Sequence, residues 1–162
     1  SQCLVFHSLS KRSNLPGLRS GFVAGDASFI TPFLKYRTYH GCSMSMAVQK
    51  ASELAWSDED HVIVNRGLYA EKFQAAADIL GEQLDSHDPG AGFYLWAKTP
   101  TGCDTFSRDL YAATGVTVLP GQFLGREVDG VNPGAGFVRM ALVAEPDTCR
   151  EALLRIQRFM TR

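Results

Sequence analysis

The chain has 162 residues, of which 45% are hydrophobic, so it can bury a substantial core as one domain or slightly more. Its formal net charge of −1 argues against nucleic acid or an anionic membrane as the main partner, and we expect neither. No apolar run approaches the roughly 20 residues that cross a bilayer, and no signal peptide is recognisable, so we expect no membrane association.

The cysteines are widely spaced, with no C-x-x-C pair and no histidines at the spacing of metal ligands. They are Cys3, Cys42, Cys103 and Cys149. This scatter favours free, buried thiols in a reducing cytoplasm over disulfides, and it predicts no metal site.

Two short apolar segments, residues 3–6 and 21–24, are predicted to be strands on either side of a polar turn. The turn contains Ser8, Lys11 and Arg19 among glycines. Glycine lets backbone N–H groups approach an anion, serine adds a hydroxyl donor, and arginine offers a planar fork that suits phosphate oxygens. The residues therefore indicate a phosphate site beside Lys11, whose amine, when partly desolvated near other cations, can attack a carbonyl to form a Schiff base.

Two helices are predicted next, with apolar positions between Phe29 and Tyr36 in the first and between Met44 and Ala55 in the second. Ser57 is expected to cap a third, longer helix, because the acidic residues that follow it suit a helix N-terminus. The apolar stripe of this long helix predicts one face that crosses between two domains. Its members are Val62, Tyr69, Phe73, Ala76, Leu80 and Leu84.

Strands and helices are predicted to alternate from residue 92 onward. The pattern predicts strands at residues 92–98, 116–119 and 137–143 and a helix at 104–114 that ends at Gly115. Pro146 at a first helical turn predicts the start of a final helix. This alternation indicates a small α/β domain, and we place its beginning at residue 57.

The polar turn resembles the lysine signature of the class I/II aminotransferases of fold type I, which use pyridoxal 5′-phosphate (PLP). The matching residues are Ser8, Lys11, Asn14, Gly17, Arg19 and Gly21. Ser20 departs from the signature, since the family usually has an aliphatic residue there. A second match is the run 118–125 followed by 136–142, which contains Arg139.

The resemblance implies an α/β fold that corresponds to the C-terminal part of a fold-type I PLP-dependent transferase. Residues 1–56 would end the large PLP-binding domain, and residues 57–162 would form the small C-terminal α/β domain. Lys11 would be the catalytic and cofactor-binding lysine, Ser8 and Arg19 would hold the PLP phosphate, and Arg139 would bind the substrate carboxylate. Amino-acid and keto-acid substrates, a homodimer and a cytoplasmic location are further implications.

Elementary electrostatics also indicates that Arg139 needs an anionic partner, because an unpaired guanidinium within an apolar strand is unfavourable. Either an internal carboxylate or a substrate carboxylate must therefore pair with it. The family resemblance favours the substrate.

Within the family, the runs 8–26 and 118–139 look most like the succinyldiaminopimelate aminotransferases. This implies amino transfer between glutamate and N-succinyl-2-amino-6-ketopimelate in lysine and diaminopimelate biosynthesis. Three alternatives stay open: another class I aminotransferase of the aspartate type, a C–S lyase, and a PLP-sensing regulator domain without turnover. Because the family contacts the PLP ring from segments ahead of the lysine strand, the resemblance also implies that these 162 residues alone do not transaminate.

Overall fold

The computed structural model describes residues 2–83 and 90–161, and Leu84 of the predicted apolar stripe lies outside them. The chain divides into two compact units, Ser1–Arg66 and Gly67–Arg162. The division falls within a long helix, whereas the domain boundary predicted at residue 57 stays a prediction.

The first unit contains an antiparallel strand pair followed by helices. Its elements are β1 (Leu4–Ser8), α1 (Leu9–Arg12), a 3₁₀ turn (Pro16–Leu18), β2 (Gly21–Gly25), α2 (Ala27–His40), α3 (Met46–Ser57) and the start of α4 (Asp60–Leu80). In the register of the pair, Leu4 lies opposite Gly25 and Ser8 lies opposite Gly21. A side chain at Gly21 would place its Cβ 2.6 Å from the carbonyl oxygen of His7. Both predicted strands are therefore confirmed, and glycine permits their close approach.

Polar side chains begin the helices of this unit. Asp26 caps α2, because its carboxylate accepts a hydrogen bond from the backbone N–H of Ser28 at 2.8 Å. The Ser28 hydroxyl and then this N–H hold the pKa of Asp26 below its usual value. Ser45 caps α3 by accepting from the N–H of Val48 at 3.3 Å.

The cap predicted at Ser57 is wrong. Ser57 is the last residue of α3, and its hydroxyl donates to the carbonyl of Glu53 at 2.8 Å. The carboxylate of Asp58 instead accepts from the N–H of Asp60, the first residue of α4, at 2.9 Å. Its other oxygen lies 2.8 Å from Nδ1 of His61, and this bond is the main reason why the pKa of Asp58 lies below its usual value.

The second unit holds a small antiparallel sheet with the strand order β3-β5-β4. Besides the end of α4 and a 3₁₀ turn (Gly81–Gln83), its elements are β3 (Tyr94–Lys98), α5 (Cys103–Thr114), β4 (Leu119–Pro120), a 3₁₀ turn (Gly121–Phe123), β5 (Phe137–Ala141) and α6 (Pro146–Met160). The helix end at Gly115, in the left-handed region at φ 72°, and the helix start at Pro146 are confirmed. The strand predicted at 116–119 is wrong in extent, because the N–H of Val116 bonds to the Thr114 hydroxyl instead of a neighbouring strand.

One hydrophobic core fills the second unit, between its sheet and its helices. The buried residues are Ala75, Ala76, Ile79, Leu80, Leu95, Ala97, Cys103, Phe106, Leu110, Val118, Val138, Met140, Leu142, Cys149, Leu153 and Ile156. Trp96 of β3 stacks on Phe137 of β5 at a ring distance of 5.7 Å. The predicted α/β character is thus confirmed in this unit.

All four cysteines are free, as predicted, but only two of them are buried. Cys103 and Cys149 lie in the core, whereas Cys3 and Cys42 are exposed. None of the helices within residues 2–83 and 90–161 combines the length and apolar character of a bilayer span. The same residues contain no group of three side chains that could ligate a metal ion.

Replacement of Leu110 tests the core of the second unit. Leu110 is 0% exposed, so Leu110→Ala is expected to lower the free energy of unfolding by about 2–5 kcal/mol. The neighbouring Tyr111 is 60% exposed, and Tyr111→Ala serves as the control, with a change within about 0.5 kcal/mol. Urea unfolding followed by circular dichroism measures both, and equal losses would contradict this packing.

Candidate active site

The sequence-predicted lysine and its phosphate-binding partners lie in residues 8–21, which we name the lysine turn. Lys11 is the third residue of the four-residue helix α1 and is exposed to solvent, so the described residues do not supply its expected desolvation. Leu9, two residues earlier, is 0% exposed and anchors the same helix in the protein. The turn therefore buries one of its side chains while it presents the lysine.

Ser8 begins α1 as its N-cap. Its hydroxyl oxygen accepts from the N–H of Ser10 at 3.1 Å, and the hydroxyl lies 3.1 Å from the carbonyl oxygen of Ser20. The N–H of Leu9 donates to the same Ser20 carbonyl at 3.1 Å. These bonds close the turn, and they show that the Ser8 hydroxyl already has a structural role.

Arg19 lies at the far end of the turn with its backbone in the left-handed region, at φ 49°. One guanidinium nitrogen donates to the carbonyl of Pro16 at 3.0 Å. Among the described residues its remaining N–H groups have no protein partner, and the side chain is exposed. Most of the fork is thus available to an anion.

Ser20, the departure from the family signature, pairs with Ser52 of α3. Both residues are buried, and the Ser52 hydroxyl lies 2.8 Å from the Ser20 hydroxyl and 2.7 Å from the carbonyl of Val48. A polar contact with α3 thus takes the place where the family usually has an aliphatic side chain. A second polar contact, from Asn14 to Asn65 at 3.1 Å, holds the turn to the beginning of α4.

Sequence reasoning missed Arg12, which follows the lysine directly. Its side chain is 8% exposed and forms an ion pair with Glu59. Its guanidinium donates to the carbonyl of Ala55 at 2.8 Å and lies 5.0 Å from the ring of Trp56. Weaker contacts reach the carbonyls of Trp56 at 3.5 Å and Asp58 at 3.4 Å. Since all these partners are at least 43 residues away, no local pattern could have revealed them.

Arg139 occupies β5 in the second unit, in register with Trp96 of β3 and Leu119 of β4. Its side chain is half-buried, and its guanidinium lies 5.6 Å from the ring centre of Tyr94. No carboxylate among residues 2–83 and 90–161 pairs with it. The internal ion pair that was one of the two predicted outcomes is therefore absent from the described part of the chain.

The loop before β5 lies between the two runs of the second sequence match and is closed by Asn132. The Asn132 side chain donates to the carbonyl of Gln122 at 3.0 Å and accepts from the N–H of Gly134 at 2.9 Å. A Cβ at Gly134 would lie 2.1 Å from the carbonyl oxygen of Gly121, so the two backbone segments touch only because this position is glycine. The contact fixes the chain just ahead of Arg139.

The described residues thus contain an exposed lysine between two paired strands, and an arginine on the central strand of a small sheet with no carboxylate partner among them. The family model "Aminotransferase class I and II" matches residues 1–156, and the chain belongs to this family. Members of the family depend on PLP. The predicted family, fold class and family cofactor are confirmed.

Individual relatives agree with this assignment. A crystal structure of an aminotransferase from Neisseria meningitidis has a TM-score of 0.90 and 54% identity, over 96% of this chain and 40% of that chain. A probable aminotransferase of Mycobacterium tuberculosis is 36% identical over 156 residues, which are 94% of this chain and 35% of that protein. The LL-diaminopimelate aminotransferase of Maridesulfovibrio salexigens is 32% identical over 160 residues, which are 96% of this chain and 40% of that protein. The chain thus spans between 35% and 40% of the length of these relatives.

The pair Ser20–Ser52 gives a test of the contact between the lysine turn and α3. Ser52→Ala leaves the buried Ser20 hydroxyl without a partner and is expected to destabilise the first unit by about 1–3 kcal/mol. Ser20→Ala is expected to destabilise the first unit less, because the Ser52 hydroxyl keeps the Val48 carbonyl as its acceptor. Native-state hydrogen exchange of the α3 amides measures both.

The exposed Ser57 of the same helix provides the matched control. Ser57→Ala is expected to change the free energy of opening by no more than about 0.5 kcal/mol. A larger loss from Ser20→Ala than from Ser52→Ala would contradict the hydrogen-bond assignment.

Proposed function

We propose that the complete protein that carries this chain is a PLP-dependent aminotransferase and that the lysine turn holds the cofactor. The observation that carries the proposal is that the described residues present Lys11 and Arg19, both signature residues, as exposed polar groups of one turn. The chemistry of the donor set fits PLP, since a primary amine can bond an aldehyde and a guanidinium can bind a phosphate dianion.

Arg19 and Ser8 would contribute unequally to phosphate binding. Among the described residues the Arg19 guanidinium donates to the Pro16 carbonyl alone, so the rest of its planar fork can donate to phosphate oxygens. The Ser8 hydroxyl carries a single proton, which in this structure points toward either Ser20 or Ser10. Ser8 would therefore have to exchange an internal acceptor for the phosphate, which makes Arg19 the principal phosphate ligand of the turn.

Within this proposal, each functional residue acts at a defined atom. When bound, PLP supplies the electron sink that makes the α-carbon proton of an amino acid labile. Nζ of Lys11 would take that proton as a general base and then deliver it, as a general acid, to C4′ of the cofactor. The guanidinium of Arg139 would hold the substrate carboxylate by charge-assisted hydrogen bonds and so orient the α-carbon.

The finer part of the proposal is that glutamate is the amino donor and N-succinyl-2-amino-6-ketopimelate the acceptor. It is supported by the resemblance of the runs 8–26 and 118–139 to the succinyldiaminopimelate aminotransferases. It is also supported, weakly, by the relative named LL-diaminopimelate aminotransferase at 32% identity. A homodimer and a cytoplasmic location belong to the same proposal.

Covalent attachment of the cofactor tests the assignment of Lys11. The complete protein is expected to absorb visible light with PLP and, after borohydride reduction, to yield a PLP adduct on the peptide that contains Lys11. Lys11→Ala should abolish the adduct. Lys50→Ala, which removes an exposed lysine paired with Glu53 in the same unit, should leave it unchanged. An adduct on another lysine would contradict the assignment of Lys11.

Product analysis of the same protein distinguishes the classes of activity. Transfer from glutamate to N-succinyl-2-amino-6-ketopimelate supports the finer proposal, whereas a strong preference for aspartate would favour the aspartate type. Keto acid released without an amino acceptor would indicate a C–S lyase. An adduct on Lys11 with no turnover of any amino acid would indicate a PLP-sensing domain.

Arg139→Ala tests the substrate carboxylate site. The change is expected to weaken substrate binding by about 2–5 kcal/mol, because it removes a charge-assisted contact, while PLP binding stays close to that of the wild type. Arg108→Ala is the control, since Arg108 is exposed in the same unit and forms an ion pair with the adjacent Asp109. Substrate and cofactor titrations of both variants measure the effect, and a comparable loss of PLP binding would mean that Arg139 is structural.

A further inference from the structure

Arg12 is unusual because it is a charged side chain, 8% exposed, in a helix of only four residues. Most of its hydrogen-bonding partners belong to a single place, the end of α3 and the link to α4. They are the carbonyls of Ala55, Trp56 and Asp58 and the carboxylate of Glu59, and the adjacent Ser13 hydroxyl is a further contact at 3.2 Å.

A positively charged hydrogen-bond donor is favourable at the end of α3. The last carbonyls of a helix lack partners within it and form the negative end of its dipole. α3 has no basic residue in its last turn, and the N–H of Asp58 satisfies only the carbonyl of Leu54. Arg12 supplies the missing positive charge from another element, with a planar fork that reaches several acceptors at once.

The same contact restrains α1. A helix of four residues is too short to be stable by itself, so its position depends on the groups that hold its two ends. Leu9 is buried at the start, and Arg12 is bound to α3 at the end. Lys11 lies between these two residues, one peptide bond from Arg12, and is exposed.

We propose that Arg12 is a positioning residue: it binds the end of α3 and thereby fixes the backbone of Lys11 in the geometry that reaction with the cofactor requires. The inference rests on the proposed function of Lys11. Arg12 itself would touch neither cofactor nor substrate. A lysine at this position would place its donors on one compact nitrogen and would lack the planar fork that reaches the helix carbonyls and the Glu59 carboxylate together.

The test uses the complete protein and the variants Arg12→Met and Arg12→Lys. With Arg12→Met, kcat is expected to fall about 100-fold while KM for glutamate stays near the wild-type value, since a small displacement of a reacting group has an effect of that size. The rate of borohydride-trapped PLP attachment to Lys11 should fall as well, and the pH midpoint of the visible absorbance should shift. Arg12→Lys should restore these readouts in part.

Asp26→Ala is the matched control for a loss of stability alone. It removes the N-cap of α2 in the same unit, and in the described part of the chain the Asp26 side chain bonds to Ser28 rather than to α1 or α3. It should lower the unfolding midpoint and leave the attachment rate and the pH midpoint unchanged.

The outcomes separate the two proposals. If wild-type protein forms no adduct on Lys11, the proposed function fails and the role of Arg12 fails with it. If wild-type protein forms the adduct and both Arg12 variants match it in attachment rate and pH midpoint, only the positioning role is overturned. If Arg12→Met does not fold, Arg12→Lys alone decides, and wild-type values of both readouts in that variant overturn the inference.

Discussion

The contacts of the lysine turn with the rest of the first unit are made mainly with one helix, α3. The turn buries little apolar surface of its own, because α1 has only four residues and Leu9 is its buried hydrophobic side chain. Ser52 and Ala55, which receive contacts from Ser20 and Arg12, are three residues apart and therefore lie on one face of α3. One face of α3 thus contacts the turn at two places, directly after Lys11 and near the end of the turn.

The second unit holds its functional candidate in a different way. Arg139 lies on the central strand β5, and the residues on either side of it, Val138 and Met140, are buried in the core at 0% and 4% exposure. Because side chains alternate along a strand, the core packing of its two neighbours directs Arg139 to the opposite face. The arginine consequently lies on a strand held by a full hydrophobic core, whereas the helix of the lysine is held by one buried leucine and by polar contacts.

Sequence patterns predicted the features whose causes are local. Gly115 and Pro146 mark helix ends because their own backbone preferences decide the conformation, and the strands beside the lysine follow from short apolar runs. The prediction at Ser57 failed because α3 extends further than its apolar pattern and a neighbouring carboxylate takes the cap. The pairing of Ser20 with Ser52 spans 32 residues, so no window of sequence contains both partners. The roles of Lys11, Ser8, Arg19 and Arg139 came from motif resemblance and stay predictions.

The two tryptophans of the chain are divided between its compact units. Trp56 lies beside the Arg12 guanidinium, with ring distances of 5.4 Å to His7 and 5.0 Å to Phe22, whereas Trp96 stacks on Phe137 in the other unit. The indole of Trp56 therefore lies next to both the Arg12 guanidinium and the strand pair that encloses the lysine turn. Each unit carries one tryptophan, so replacing either tryptophan with phenylalanine leaves indole emission from the other unit alone.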